Sequence, residues 1–139
     1  MILLYKITIE DLSKVGKNYK WPINRCDDCR RNMWGHGYVP RYFTASVVEV
    51  YLKRYRCPGC RSVVTVRPEG HWPRIRSSIL DIYEALKSKL SIGRWPALFP
   101  RQRGGHWLNR FVRFVAMEAP ASILLFLDHC HQKEIRFLP

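Results

Sequence analysis

Four of the five cysteines fall into two pairs, CDDC at 26–29 and CPGC at 57–60. A two-residue spacer lets one tight turn direct two thiolates toward a single ion, and two such turns supply a closed tetrahedral set of four sulfurs. Pro58 and Gly59 suit the second turn, because proline presets one backbone dihedral angle and glycine accepts an unusual one. The spacing therefore predicts a structural Zn(II) site with the ligands Cys26, Cys29, Cys57 and Cys60.

Other uses of these cysteines remain open from the residues alone. A redox-active pair needs a helix that begins at the motif, whereas RSVVTV (61–66) is typical of a strand. A rubredoxin-like iron site uses the same four sulfurs, although basic surroundings are unusual for such an electron carrier. Four unliganded core cysteines would require both spacings to be accidental.

The remaining cysteine and two histidines are interpreted without a metal. Cys130 lies between two histidines, but consecutive helical side chains splay by about 100°, so we expect a free thiol. Four cysteines complete the predicted site, so neither histidine is needed as a ligand. We interpret His36 as a turn or DNA-facing residue and His71 as a linker residue.

The chain is strongly basic. It carries 24 Lys and Arg against 11 Asp and Glu, and 15 of the basic side chains lie within residues 1–76. Arginine, with 16 residues, makes forked contacts with phosphate and guanine, so the excess favours a nucleic-acid partner. Part of it would offset the negative charge of the metal site, through Arg25, Arg30, Arg31, Arg56 and Arg61.

Residues 35–67 are typical of β-structure, with strands predicted over 38–47, 48–56 and 62–66. In the second strand, Val48, Val50 and Leu52 alternate with polar residues, which indicates one buried face. Two cysteine turns that clamp a small three-stranded antiparallel sheet form a zinc ribbon. Its exposed side would present basic and aromatic residues suited to nucleic acid: Arg41, Tyr42, Lys53, Arg54, Tyr55 and Arg56. The alternative is that Tyr42 and Tyr55 contribute to the small core and the arginines are merely solvated.

Helical periodicity follows a Pro- and Gly-bearing link. A capping box at Ser78 and a stop at Gly93 predict a helix over 78–91, and RWPALF (94–99) suits a single helical turn. A second helix is predicted over 105–118, with an apolar face of Trp107, Leu108, Phe111, Val112 and Val115. A third helix is predicted with Pro120 in its first turn and residues 123–127 buried, and it runs to about His131.

Three short helices with a basic middle one are compatible with a helix-turn-helix, in which the second helix enters the major groove. A plain helical bundle with a solvated polar face is the alternative. In the first case, the candidate DNA-contacting residues are Gln102, Arg103, His106, Asn109, Arg110 and Arg113. The predicted α+β organisation is an N-terminal segment (1–20), a zinc ribbon (21–68), a linker (69–77) and a helical segment (78–139).

Residues 21–76 resemble the zinc-ribbon region at the front of bacterial insertion-sequence transposases and related short mobile-element proteins. The shared features are a CxxC, an HGxxxR segment, a strand that ends RYRCxxC, and a proline-bearing exit into helices. The resemblance implies DNA binding at element ends, with a helix-turn-helix downstream. Arg30 and Arg61 depart from it, because that family commonly has glycine after the second cysteine. The matching positions are Cys26, Cys29, His36, Gly37, Arg41, Arg54, Tyr55, Arg56, Cys57, Cys60, Pro68, Pro73 and Arg74.

We therefore expect a non-catalytic, zinc-dependent protein that binds duplex DNA as a mobile-element or transposition-related accessory or targeting factor. The acidic residues are scattered, and neither a Gly-rich phosphate loop nor a Ser/His/Asp set is recognisable. RNA binding is one alternative, and an adaptor that docks through tryptophans onto recombination, defence or transcription machinery is another. The longest C-terminal apolar run, ILLFL (123–127), is too short to span a bilayer, and no secretory leader is recognisable. We expect a cytoplasmic protein with no membrane partner.

Overall fold

A computed structural model describes residues 2–138, with side chains from Lys6 onward; Met1 and Pro139, which end two predicted segments, lie outside the described residues. The chain divides between Arg76 and Ser77 into two compact units. Together they contain strands and helices, which confirms the α+β class. The elements are β1 (Ile2–Tyr5), α1 (Ile9–Val15), a 3-10 turn (Gly16–Asn18), β2 (Trp34–Arg41), β3 (Val50–Arg56), β4 (Val63–Pro68), α2 (Ile79–Ile92), α3 (Arg101–Glu118) and α4 (Ile123–Gln132).

The first unit is built on one sheet with the strand order β1-β4-β3-β2. The antiparallel pairing of β2 with β3 and of β3 with β4 matches the predicted three-stranded sheet. A fourth strand, β1, joins the other side of β4 in parallel, with Ile2 opposite Thr65. This strand was not predicted, because its pairing joins residues about sixty positions apart and four apolar residues alone do not specify it.

The strand boundaries differ from the prediction around the β2–β3 connection. β2 ends at Arg41, and residues 42–49 form a loop in which the Ser46 hydroxyl donates to the Val48 carbonyl (2.7 Å). Val48 is consequently 56% exposed, whereas Val50 and Leu52 are fully buried as predicted. β2 also begins four residues early, and its register with β3 shifts between Gly35 and Tyr38, where Gly37 has φ +79°.

Two buried clusters form the core of the first unit. Trp21 packs against both, and Tyr55, predicted on the exposed side, is 4% exposed in the second. The Tyr55 hydroxyl donates to the Pro22 carbonyl at 2.8 Å, a contact across 33 residues that alternation along a strand does not indicate. One cluster comprises Ile7, Ile9, Leu12, Phe43, Val50 and Leu52, and the other Cys26, Met33, Tyr55, Cys57, Val64 and Val66.

The segment 69–76, predicted as linker, belongs to the first unit. The Glu69 N–H donates to the Ile7 carbonyl (3.1 Å), and the Thr44 N–H donates to the Arg76 carbonyl (3.0 Å). His71 and Trp72 are both buried. The segment is thus tied to the loop that follows β2.

The second unit contains three helices. α2 has the predicted capping box between Ser78 and Asp81 and ends at Gly93, whose φ of +74° is left-handed. α3 begins at Arg101 after Pro100, four residues before the prediction, and α4 begins at Ile123 after a Ser122 cap, so that Pro120 precedes the helix. Between α2 and α3 the chain makes a turn rather than a helix. Within the described residues, no helix has the length and apolarity needed to cross a bilayer.

Fewer apolar side chains are buried in the second unit than the apolar runs of the sequence predict. Trp107, Phe111 and Val115 on α3 are buried as predicted, but Val112 is 46% exposed. Within 123–127 only Leu127 is fully buried, and Leu125 is 70% exposed. A short helix packs with one face only, so a sequence that is apolar all round must leave part of itself uncovered.

A close contact fixes the start of α3. A Cβ atom at Gly104 would lie 2.8 Å from the ring of Trp95, whereas one at Gly105 would meet nothing within 4 Å. Gly104 is therefore required by the tryptophan that lies against the helix backbone. Gly105 carries only the unfavourable helix propensity of glycine.

These two adjacent glycines provide a test of the packing. Gly105→Ala should raise the free energy of unfolding by about 0.5–1 kcal/mol through helix propensity. Gly104→Ala gains the same propensity but must displace Trp95, so it should lower stability. Urea denaturation of the two variants measures both, and equal effects would contradict the described Trp95 contact.

Candidate metal centre and basic surfaces

The four paired cysteines converge on one point. Their sulfur atoms all lie within 4.8 Å of one another. The Sγ–Sγ distance is 3.4 Å from Cys26 to Cys60 and 3.2 Å from Cys29 to Cys57. In a tetrahedral site with metal–sulfur bonds of about 2.3 Å, the sulfurs are about 3.8 Å apart. The cluster matches that size to within small side-chain adjustments, so these cysteines could hold one metal ion.

Two cysteine knuckles, residues 26–31 and 57–62, share one backbone design. In the first, the Cys26 N–H donates to the carbonyl five residues on (2.9 Å), and in the second the Cys57 N–H does the same (2.9 Å). A pair closes each knuckle at its base, Arg25 with Asn32 and Arg56 with Val63. The sequences RCDDCRRN and RCPGCRSV therefore fold as a local structural repeat that supplies two sulfurs each.

An arginine with left-handed backbone follows the second cysteine of each knuckle. Arg30 has φ +59° and Arg61 has φ +61°. A side chain in this region costs roughly 1–2 kcal/mol, which glycine avoids. The departure noted above, arginine in place of the family's glycine, thus falls at positions whose backbone favours glycine.

Gly59 is required for space rather than for an unusual dihedral angle. It is not among the described glycines with positive φ, contrary to the reason given from sequence. A Cβ atom there would lie 3.2 Å from Cδ of Arg31 and 3.3 Å from Sγ of Cys29. Arg31 thus reaches from the first knuckle across the second, where its charge offsets that of the thiolates.

Ser62 is a further component of the centre. Its hydroxyl oxygen lies 3.1 Å from Sγ of Cys60 and 3.6 Å from Sγ of Cys26. The Gly59 N–H also donates to Sγ of Cys57, at 3.4 Å. Such groups orient and stabilise thiolate ligands. Ser62 was not predicted, and the only signal was a hydroxyl residue two positions after the last cysteine.

The protonation states of the thiols are unequal. The Cys29 N–H, assisted by the Ser62 hydroxyl, lowers the pKa of Cys26 to about 6. A hydrogen bond from the Cys57 thiol lowers the pKa of Cys29, whereas burial raises the pKa of Cys57 to about 11. Thiolates bind metal, so binding must displace a proton from Cys57, and the affinity should rise with pH.

The other predicted non-ligands lie apart from the cluster. His36 is exposed on β2 and His71 is buried, and neither belongs to the ligand group found among the described residues. Cys130 is 1% exposed in α4 of the second unit, where burial raises its pKa. It is a free thiol in this structure.

The basic residues predicted on the sheet are spread along the β2–β3 hairpin. Arg41 pairs with Val50 at one end and Trp34 pairs with Arg56 at the other, so the ends are about 20 Å apart. Arg41 and Arg56 are exposed, forming the ends of a strip rather than a single site. Tyr42, 55% exposed, follows Arg41 just beyond the end of β2. Between the two ends lie the half-buried Lys53 and Arg54, whose side chains point to opposite faces of the sheet because they are consecutive in β3.

Two aromatic residues lie beside basic residues of the strip. The Lys53 ammonium lies 4.4 Å from the centre of the Tyr38 ring, so it is partly engaged within the unit. Trp34 is 67% exposed beside Arg56, next to the second knuckle. Trp34 was not predicted as a nucleic-acid residue, because the strand was expected to begin after it.

The candidates in the second unit lie on α3. Arg103, Asn109, Arg110 and Arg113 are all exposed. Separations of seven and three residues place Arg103, Arg110 and Arg113 along one side of the helix. The structure thus places basic residues along the β2–β3 hairpin of the first unit, here called the sheet strip, and along one side of α3 in the second unit.

No family model, curated protein or solved structure matches the chain. The resemblance of residues 21–76 to transposase zinc ribbons is therefore a likeness of motifs. Function has to be inferred from the cysteine cluster and the charged surfaces themselves.

The cysteine cluster predicts that removing one ligand abolishes metal binding. Cys57→Ser should abolish stoichiometric metal binding and unfold residues 26–66, because three sulfurs no longer close the site. Elemental analysis and amide NMR spectra measure both effects. Cys130→Ser, the matched control, should keep the full metal content. Native spectra and full metal in Cys57→Ser would contradict the site.

The left-handed backbone at Arg30 and Arg61 predicts that glycine at either position increases stability. Arg30→Gly and Arg61→Gly should each raise the free energy of unfolding of the metal-loaded protein by about 0.5–1 kcal/mol, because glycine adopts positive φ without strain. Arg31→Gly, at a position without positive φ, should destabilise. Thermal unfolding compares the three, and a loss of stability in the first two would contradict the described backbone.

Proposed function

We propose that this chain is a non-catalytic DNA-binding protein whose first unit is a zinc ribbon held together by Cys26, Cys29, Cys57 and Cys60. The observation that carries the proposal is the position of the cysteine cluster. It lies at the base of the β3–β4 pair, directly beside the exposed Trp34 and Arg56. The groups that would bind the metal and those that would bind nucleic acid therefore belong to one small framework.

Zinc is the metal that we propose, rather than iron. Four thiolates suit both ions. Two of the four ligand residues, Cys29 and Cys60, are exposed, and arginines flank both knuckles. A structural ion with no redox role needs neither shielding nor a tuned potential, so this open and basic setting favours Zn(II).

Charge and shape support DNA as the partner. The first 76 residues carry 15 basic and six acidic side chains. The sheet strip is about 20 Å long, comparable to the rise of about six base pairs along the duplex axis at about 3.4 Å each. The aromatic side chains of Tyr42 and Trp34 lie at its two ends, where they could pack against sugars or bases.

The non-catalytic role is part of the proposal. Within the described residues, the four cysteines are the group of His, Cys, Asp and Glu side chains close enough to share an ion. Cleavage of DNA with two metal ions needs convergent carboxylates, and we propose that any such chemistry comes from a partner. The likeness of residues 21–76 to mobile-element zinc ribbons supports an accessory or targeting role in transposition.

Charge reversal on the strip tests DNA binding. Arg54→Glu combined with Arg56→Glu should weaken binding to a random-sequence duplex pool at least about tenfold and reduce the log–log salt slope by about 1.8, the contribution of two phosphates. Fluorescence anisotropy at several salt concentrations measures both quantities. Metal content and circular dichroism should not change.

The matched control is Lys14→Glu with Lys20→Glu, which makes the same charge change outside β2 and β3. It should retain most of the affinity. Equal losses in the two variants would mean that net charge alone attracts the DNA. Unaltered binding in the strip variant would move the interface to Arg103, Arg110 and Arg113. Salt-insensitive or absent binding would contradict the proposal and favour an adaptor that docks on another protein.

A further inference from the structure

A cleft of about 380 Å³ lies in the first unit, between the end of β2 and the segment that follows β4. Arg41 and Tyr42 line one side, and Arg74 and Arg76 line another. The hydrogen bond from the Thr44 N–H to the Arg76 carbonyl (3.0 Å) ties the two walls together. The volume of the cleft is within the range of small-ligand sites.

Arginine dominates this cleft. Of the described residues that line it, four are arginines and none is acidic. Three of the guanidinium side chains, those of Arg41, Arg74 and Arg76, belong to exposed residues, whereas Arg67 is only 7% exposed. The three exposed like charges around one concave space repel one another, and a bound anion would relieve that repulsion. Planar guanidinium groups match the oxygens of phosphate with paired hydrogen bonds.

The backbone at Arg74 adds a second observation. Its φ is +63°, a left-handed conformation that favours glycine. Within residues 2–76, the non-glycine residues with positive φ are Arg30, Arg61 and Arg74, and all three are arginines. At Arg74 the chain thus holds a cationic side chain at the cleft wall in a conformation that the backbone disfavours, which indicates a use for the side chain.

We propose that this cleft, lined by Arg41, Arg67, Arg74 and Arg76, is a phosphate-binding site. The source of the phosphate follows from the proposed function: a phosphate of the bound nucleic acid enters the cleft at the Arg41 end of the strip. A free phosphorylated small molecule has the same chemistry and is the other source. Only Arg41 of these four arginines was predicted as a nucleic-acid residue. Arg67 was assigned to the end of the ribbon, and Arg74 and Arg76 to the linker 69–77.

The test uses the zinc-loaded full chain and pyrophosphate as the probe. Isothermal titration should show saturable binding, and Arg74→Gly with Arg76→Gln should weaken it at least about tenfold, the loss expected for two charge-assisted contacts. Glycine relieves the backbone at position 74, so this variant should keep its fold and metal content. Lys14→Gln with Lys20→Gln removes the same charge away from the cleft and should bind pyrophosphate normally.

Competition then identifies the source. Pyrophosphate that displaces labelled duplex DNA from the native chain, but not from the cleft variant, assigns the cleft to the nucleic-acid interface. Binding of pyrophosphate without any DNA binding would refute the proposed function, while the cleft would stand as a site for a small phosphorylated ligand. Two results would overturn the proposed phosphate site and leave the proposed function intact. One is DNA binding without saturable pyrophosphate binding up to about 10 mM. The other is equal weakening of pyrophosphate binding in the lysine control.

Discussion

The first unit depends on the convergence of four cysteine sulfurs from two separate turns. Cys26 and Cys57 are buried among the side chains of one of its two core clusters, so the ligands are part of the core itself. Burial raises the pKa of Cys57 to about 11, whereas the Cys29 N–H lowers the pKa of Cys26 to about 6, so a bound ion would have to displace the Cys57 proton. Metal binding, worth about 10–16 kcal/mol in small zinc peptides, would join the four sulfurs through one ion.

The same knuckles determine where positive charge is placed. Each tight turn needs a left-handed residue after its second cysteine, and the chain puts Arg30 and Arg61 there. Arg31 crosses the second knuckle at Gly59, and Arg56 closes its base. Some of these charges offset the thiolates of the metal site. The arginines at the far end of the hairpin, around the cleft at Arg74, are too distant from the cysteines to serve that purpose.

Features encoded by local spacing were predictable from the sequence. The two CxxC pairs predicted the cysteine cluster, and the Ser78 capping box with Gly93 predicted α2 within a residue at each end. Features that depend on contacts between distant segments were not predicted. β1 pairs with β4 across about sixty residues, Tyr55 is buried because its hydroxyl meets the Pro22 carbonyl, and residues 69–76 pack against the loop after β2. Val112 and Leu125 are apolar by type, yet the short helices cover only one face each.

The most direct test of zinc-dependent DNA binding is a titration of Zn(II) into metal-free protein in the presence of labelled duplex DNA. The account predicts that residues 26–66 become ordered in the amide NMR spectrum and that DNA binding develops in parallel, with both complete at one equivalent of zinc. DNA binding of equal strength and salt dependence before zinc is added would contradict it, because the charged surface would then act without the cysteine cluster that is proposed to hold it.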